Sequence, residues 1–227
     1  MEGSVVIITG AAGHLGQVVA AELGMMGYKL MLVDLNQPPW EGDSDAVSIG
    51  NVDLTEPEHA REVVAQTLEY FGRLDAVVNI AGGFIWQTQT DSSLENWDAM
   101  YSMNVQTAVN MCHAALPNLV EQKKGVIVNI GAAAAEKAGE GMGTYAATKS
   151  AVLRLTEALA AEHKQDGLRV NAILPSIIDT PANRESMAEA DFSQWVTPES
   201  IAGVIAFLLS DQSRDITGVG LPVTGRV

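Results

Sequence analysis

Cysteine and basic residues are the scarcest chemistry in this 227-residue chain. Its one cysteine, Cys112, has no partner for an internal disulfide, which argues against a disulfide-stapled secreted scaffold and fits a reducing compartment. Only 13 Lys and Arg stand against 28 Asp and Glu, a formal net charge of −15. Nucleic acid and anionic membrane surfaces need clustered cations, so neither is expected as a partner. No apolar run approaches the roughly eighteen residues of a membrane span, and the acidic Met-Glu-Gly-Ser before the first apolar run does not read as a signal peptide. The expected location is cytoplasmic. His59, His113 and His163 show no metal-ligand spacing with Cys or carboxylates, so no metal is expected and the three are placed on helix surfaces. Cys112 itself lies in an apolar helical stretch and reads as packed rather than nucleophilic. Internal repeats and linkers rich in Pro, Gly or Ser are missing as well.

What is present is a hydrophobic content of 47% with 18% charged residues, and a mean hydropathy of +0.12, the balance of a compact fold with a substantial core. Short β-rich runs alternate with helical patterns. Strands are expected at Val5–Thr9, Lys29–Asp34, Ala46–Ile49, Ala76–Ile80, Gly125–Ile130, Arg169–Leu174 and Val219–Val223. Helices are expected at Leu15–Leu23, Pro57–Phe71, Leu94–Leu119, Thr144–His163 and Pro198–Leu209. This alternation predicts α/β architecture: a single Rossmann-type, doubly wound parallel sheet of seven strands with helices on both faces. Residues 1–90 read as the nucleotide-binding half and 91–227 as the catalytic and substrate half. The irregular stretch 175–197 follows the sixth strand, where a doubly wound sheet binds ligands, and is a candidate lid with a plain surface excursion as its alternative.

The first strand runs into Thr9-Gly10-Ala11-Ala12-Gly13-His14-Leu15-Gly16 and then a helix. Glycines at 10, 13 and 16 allow a tight turn, close approach of backbone to a pyrophosphate, and close helix–strand packing. Gly10, Gly13, His14, Leu15 and Gly16 are therefore cofactor candidates, against the alternative of an ordinary glycine turn. Asp34 ends the second strand eighteen residues after Gly16, placed to bond an adenosine ribose and to repel a 2′-phosphate. Leu35-Asn36-Gln37 adds nothing basic, so NAD(H) is favoured over NADP(H). Asp53, with Leu54 beside it, is placed either to meet the adenine amino group or to cap the helix at Pro57. Asn79-Ile80-Ala81-Gly82 ends the fourth strand; Asn79, Ala81 and Gly82 are candidates for cofactor contact, or for a plain strand-to-loop turn.

Tyr145 and Lys149 are four residues apart and share a helix face. An ammonium beside a phenol favours the phenolate and lowers a pKa that starts near 10. A phenol tuned toward neutrality can exchange a proton while a hydride moves elsewhere. Alone, the pair also suits an ordinary helix surface.

Taken in order, the Thr-Gly…Gly run at 9–16, Asp53, Asn79-Ile80-Ala81-Gly82, Met103-Asn104-Val105, Tyr145-x-x-x-Lys149 and Pro175…Thr180 resemble the short-chain dehydrogenase/reductase family over essentially the whole chain. The resemblance implies a nicotinamide cofactor, Tyr145 as general acid/base, Lys149 orienting the nicotinamide ribose and lowering the tyrosine pKa, and Asn104 holding a water relay. It further implies that Thr180, near Pro175, binds the carboxamide. The family's serine, thirteen residues before the tyrosine, is replaced here by Ala132. Ala81-Gly82-Gly83-Phe84, Gly141-Met142 and the stretch from Leu174 to Trp195 are similar to the quinonoid dihydropteridine reductase branch, which also carries alanine there and prefers NADH. Asn104, in its Met-Asn-Val setting, departs from that branch.

Removing one donor aimed at a developing oxyanion typically costs about 2.7–4 kcal/mol. A quinonoid or conjugated acceptor delocalises that charge and needs the donor less. The expected activity is therefore reduction by NADH of a small conjugated C=N or C=O acceptor. Two alternatives stand beside it: an ordinary alcohol dehydrogenase or carbonyl reductase with a replacement donor, and a non-catalytic NAD(H)-binding sensor. Ala132, Phe84, Trp86, Met142 and Trp195 are the substrate-side candidates. Trp86, Met142, Phe192 and Trp195 suit stacking on a flat substrate, and equally suit fixing a lid or filling core. Arg184 is placed either to pair with an anionic substrate group or to form an ion pair with Glu185 or Asp191. The resemblance also implies a homodimer or homotetramer through the two long helices.

Overall fold

The structure, a computed structural model, describes residues 3–40 and 44–227. Its strands are Val5–Thr9 (β1), Lys29–Val33 (β2), Ala46–Ile49 (β3), Ala76–Asn79 (β4), Gly125–Ile130 (β5), Leu168–Pro175 (β6) and Gly220–Val223 (β7). They form one sheet in the order β3-β2-β1-β4-β5-β6-β7, and every neighbouring pair is parallel. The order reverses between β1 and β4, and the crevice a doubly wound sheet opens for ligands lies at that point, beyond the carboxyl ends of the strands.

Alternation along β1 builds both halves of the core, because successive side chains of a strand point to opposite faces. Val6 and Ile8 pack with Leu15, Val19 and Leu23 of α1 (His14–Met25) and with Ile201 and Ile205 of α7 (Pro198–Leu209). Ile7 turns the other way, to Ala60 and Val63 of α2 (Pro57–Phe71), Met111 and Ala115 of α4 (Thr107–Glu121), and Leu159 of α5 (Gly143–His163). Both ends of α2 are set by local chemistry. Pro57 occupies its first turn, and Gly72 closes it in the left-handed region at φ 75°. Thr197 caps α7 by accepting from the Ser200 amide at 3.2 Å. None of the described helices is long and apolar enough to cross a membrane.

The stretch Leu94–Leu119 is helical throughout, as expected, but not uniformly α. It divides into α3 (Leu94–Tyr101), a π-turn at Ser102–Gln106, and α4. The extra residue in that turn carries Asn104, whose side chain bonds the Gly83 backbone on both sides: Gly83 N–H donates to Oδ1 at 3.0 Å and Nδ2 donates to the Gly83 carbonyl at 3.1 Å. Tertiary bonds thus compensate the irregular helix, and such bulges concentrate at functional sites. The stretch 175–197 is also more ordered than its sequence suggests. It contains the short helix α6 (Pro181–Ser186) and a 3-10 turn at Phe192–Gln194. An Ile178–Val196 bridge, with Asp179 N–H on the Val196 carbonyl at 2.8 Å, ties its two ends together.

Candidate active site

A cleft of about 990 Å³ opens above the carboxyl ends of the strands around the point where their order reverses. The glycine-rich turn forms one end. Gly10 sits at φ 69°, and a Cβ there would lie 2.7 Å from the Ala81 nitrogen, so the loops after β1 and β4 are in contact. Thr9 strengthens that contact: its Oγ1 accepts from both the Ile80 and Ala81 amides at 3.1 Å. A side chain at Gly16 would overlap the Gly10 carbonyl oxygen, which is why the helix can start so close beneath the turn. No side chain caps α1, whose first residue follows Gly13. Its opening amides face the cleft, the arrangement that binds phosphate. These features fit a dinucleotide.

The carboxylates stand along this half of the wall. Asp34 lies one residue past β2; its Oδ2 accepts from the Ala12 amide at 2.9 Å and its Oδ1 from the Asn36 amide at 3.0 Å. One side chain thereby fixes the glycine-rich turn and leaves a carboxylate on the cleft wall. Asp53 does not cap α2. Its Oδ1 accepts from the Thr55 amide and hydroxyl at 2.9 and 2.7 Å, which hold its pKa below the ordinary carboxylate value. Leu35, Leu54, Ala81 and Gly82 complete this part of the lining.

Tyr145 and Lys149 face the other end from α5, as the four-residue spacing requires. Their electrostatics differ from the sequence expectation. Burial pushes the Tyr145 phenol up to about 12 instead of lowering it. Lys149 is only 5% exposed, and burial lowers its ammonium to about 8. Its Nζ donates to the Ile130 carbonyl at 2.8 Å and stands 5.9 Å from the Tyr145 ring centre, too far to offset the desolvation of the phenol. Phe84 meets Tyr145 edge-on at 4.9 Å, and the phenol oxygen has no hydrogen bond among the described residues.

The lysine shift has a measurable consequence. The folded value lies below the ordinary 10.5, so the charged ammonium penalises the fold and stability rises with pH from about 8. Cys112, also pushed up by burial, acts in the opposite sense only above its ordinary 9.0. Between pH 8 and 9 a gain on the order of 1 kcal/mol is expected, a Tm rise of about 2–4 °C. Thermal unfolding followed by circular dichroism should show that rise in the parent protein. Its persistence in Lys149→Met would locate the effect elsewhere.

Several sequence candidates do not line the cleft. Asn79 is buried in the sheet, where its Nδ2 donates to Asn129 Oδ1 at 2.9 Å and to Cys112 Sγ at 3.4 Å; its role is to join β4 to β5. Asn104 stands behind the wall, holding Gly83 and donating to Thr148 Oγ1 at 3.2 Å. Ala132 is 5% exposed, and its neighbour Gly131 forms the surface. Trp195 is buried against Phe192 at 4.8 Å and fixes the 175–197 segment. Trp86 is 58% exposed and donates its indole N–H to the Glu140 carbonyl at 3.0 Å, away from the lining. Met142, half-buried in the loop before α5, also lies off the lining. Arg184 pairs with neither Glu185 nor Asp191. It grips Asp179 through two bonds, at 2.6 and 2.7 Å, because α6 turns the guanidinium back toward the residue before its cap. Of the three histidines away from the cleft, only His113 is exposed. His59 is half-buried with Nδ1 2.9 Å from the Asp53 carbonyl, and His163 meets Asp166 at 3.0 Å. Among the described residues no group of His, Cys, Asp or Glu could hold a metal ion.

Pro175 and Thr180 do line the cleft, and Thr180 Oγ1 also caps α6 by accepting from the Asn183 amide at 3.2 Å. Ser102, Met103 and Thr107 join the wall without having been singled out as site residues. The π-turn that carries Ser102 and Met103 and leads into Thr107 leaves no mark in a periodicity count. Gly131 and Ser176 could have been found as the residues following β5 and β6.

A profile of the short chain dehydrogenase family matches residues 4–191. The chain belongs to that family. It is 33% identical over 242 residues to a 2,5-dichloro-2,5-cyclohexadiene-1,4-diol dehydrogenase of Sphingobium indicum, covering 99% of this chain and 96% of the relative. Its fold matches an NAD⁺-bound xylitol dehydrogenase with a TM-score of 0.91 at 28% identity, over 99% of this chain and 98% of the other. The NADP-bound structure of ElxO gives the same TM-score at 25% identity, over 99% and 98%. The relatives support an NAD(P)-dependent oxidoreductase acting on small molecules; the dihydropteridine reductase branch has no support from them.

Proposed function

We propose that the protein reduces a small, conjugated C=N or C=O acceptor with NADH, as a dihydropteridine reductase-like enzyme that works without the family's serine. The carrying observation is a phenol, Tyr145, that lines the cleft together with Lys149, with alanine at position 132. A reduced nicotinamide, when bound, supplies the hydride. Tyr145 gives its proton to the acceptor heteroatom; Lys149 stands 5.9 Å from its ring centre with its ammonium on the Ile130 carbonyl. A phenol, at its ordinary 10 or pushed up by burial, is protonated at neutral pH and has a proton to give. Asp34 supports NAD(H), through the charge it would set against a 2′-phosphate. A relative named for a cyclohexadiene diol is consistent with a ring substrate. Exposed Leu94, Tyr101 and Val109 on α3 and α4 support a homodimer or homotetramer.

The test is to restore the hydroxyl. If the acceptor's own conjugation replaces the missing donor, Ala132→Ser should raise kcat/KM on an unactivated aliphatic ketone by at least about tenfold and change little on a conjugated acceptor. NADH oxidation followed by absorbance reads both. No gain on the ketone would count against this account and favour the second reading, an ordinary carbonyl reductase with a replacement donor. Ser102 is the observation behind that reading, since its hydroxyl lines the cleft with no hydrogen bond among the described residues.

A further inference from the structure

We infer that the acceptor carries no carboxylate, phosphate or sulfonate and is an uncharged, flat, apolar ring compound; this rests on the reductase reading above and narrows it. The inference comes from what stands around the phenol. Phe84, edge-on to Tyr145, and Met103, against Gly83, line the cleft and are 50% and 37% exposed. They are joined by Gly131 and Ala182, which offer no side-chain polar group. Trp86, 58% exposed, lies off the lining with its ring against Gly141. Aromatic faces and a thioether favour a flat apolar partner.

The cations in reach are already committed. Among the described lining residues Lys149 alone is a lysine or arginine, and its ammonium is buried on the Ile130 carbonyl at 2.8 Å. Arg184, on the adjoining helix α6, spends its fork on Asp179 and lays its guanidinium over the Phe192 ring at 4.9 Å. His14 lies at the phosphate end, near Asp179. Lys137 is exposed in the loop after β5, but Glu136 and Glu140 share that loop. An anionic group entering here would lose its hydration without gaining a partner, inside a chain of net charge −15.

The experiment compares 9,10-phenanthrenequinone with its 2-sulfonate, using NADH and the full-length protein. The parent should favour the uncharged compound by about thirtyfold or more in kcat/KM, the cost of desolvating an anion that gains no partner. Met103→Lys, which places a flexible ammonium on the same wall, should narrow that ratio at least about fivefold. Dividing one ratio by the other cancels the compounds' intrinsic reactivities. Equal or better turnover of the sulfonate by the parent, or a ratio unmoved by Met103→Lys, overturns the inference. If neither compound turns over, the reductase reading fails instead. Binding of the same pair, followed by quenching of Trp86 fluorescence against a Trp86→Phe background, then decides the charge rule by its own ratio.

Discussion

Tyr145→Phe is expected to lower kcat on the best acceptor by about 10²–10⁴-fold. The substitution removes one O–H and little else. Phenylalanine keeps the ring and its edge-on contact with Phe84 at 4.9 Å, and the lost hydroxyl bonds nothing among the described residues. Tm should therefore stay close to the parent's, and NADH should still bind, so that the loss falls on kcat. The pH profile separates Tyr145 from its neighbour. In the free protein the phenol lies at about 12 and the ammonium at about 8. An alkaline fall in kcat/KM for NADH, which reports the free protein, is thus expected near pH 8 and belongs to Lys149. It should vanish from the residual activity of Lys149→Met. Undiminished turnover by Tyr145→Phe would remove the proton-donor role. No turnover by the parent on any carbonyl, imine or quinone would return the protein to the NAD(H)-binding alternative.

That profile also shows where sequence reasoning reached its limit. Spacing alone put Tyr145 and Lys149 on one face of a helix, and they do share the cleft. The sign of the tyrosine shift was not legible, because it depends on a competition between burial and charge. The ammonium that would lower the phenol points instead at the Ile130 carbonyl, which belongs to β5 and not to the helix. Asn104 is a similar case. Its Met-Asn-Val setting marked the position, but not the π-turn around it, where the side chain bonds Gly83, twenty-one residues earlier in the chain. Local patterns did better where the forces are local. The strands at Ala46–Ile49 and Gly125–Ile130 and the helices at Pro57–Phe71 and Pro198–Leu209 have the expected limits. There β-branched runs, a proline in the first turn and a following Gly72 or a Thr197 cap carry the information. Trp86 and Trp195 were misplaced for a related reason. An aromatic near a mouth in sequence has the same composition whether it faces a ligand or, like Trp195, packs against Phe192.

Asp34 carries the second large effect, a reversal of cofactor preference. The parent should favour NADH over NADPH, since a 2′-phosphate beside this carboxylate meets a like charge whose juxtaposition costs several kcal/mol. Asp34→Ala should cut the NADH/NADPH ratio of kcat/KM by about 10²-fold or more, combining relief of that repulsion with loss of charge-assisted bonds of about 1.5–3 kcal/mol. The alanine variant alone would be ambiguous. Asp34 also accepts from the Ala12 amide at 2.9 Å, so its removal loosens the glycine-rich turn for either cofactor. Asp34→Asn resolves this. An amide oxygen can still accept from Ala12 while the charge, and the second acceptor for the exposed Asn36 amide, are gone, so the asparagine variant should keep most of its Tm, lose part of its activity with NADH and gain with NADPH. If charge decides, the two variants shift the ratio in the same direction and differ mainly in stability. If the turn decides, Asp34→Asn should behave like the parent with both cofactors, and the NAD(H) reading would need another source. A parent that prefers NADPH would end that reading outright, leaving Tyr145 and Lys149 their chemistry but not their hydride donor.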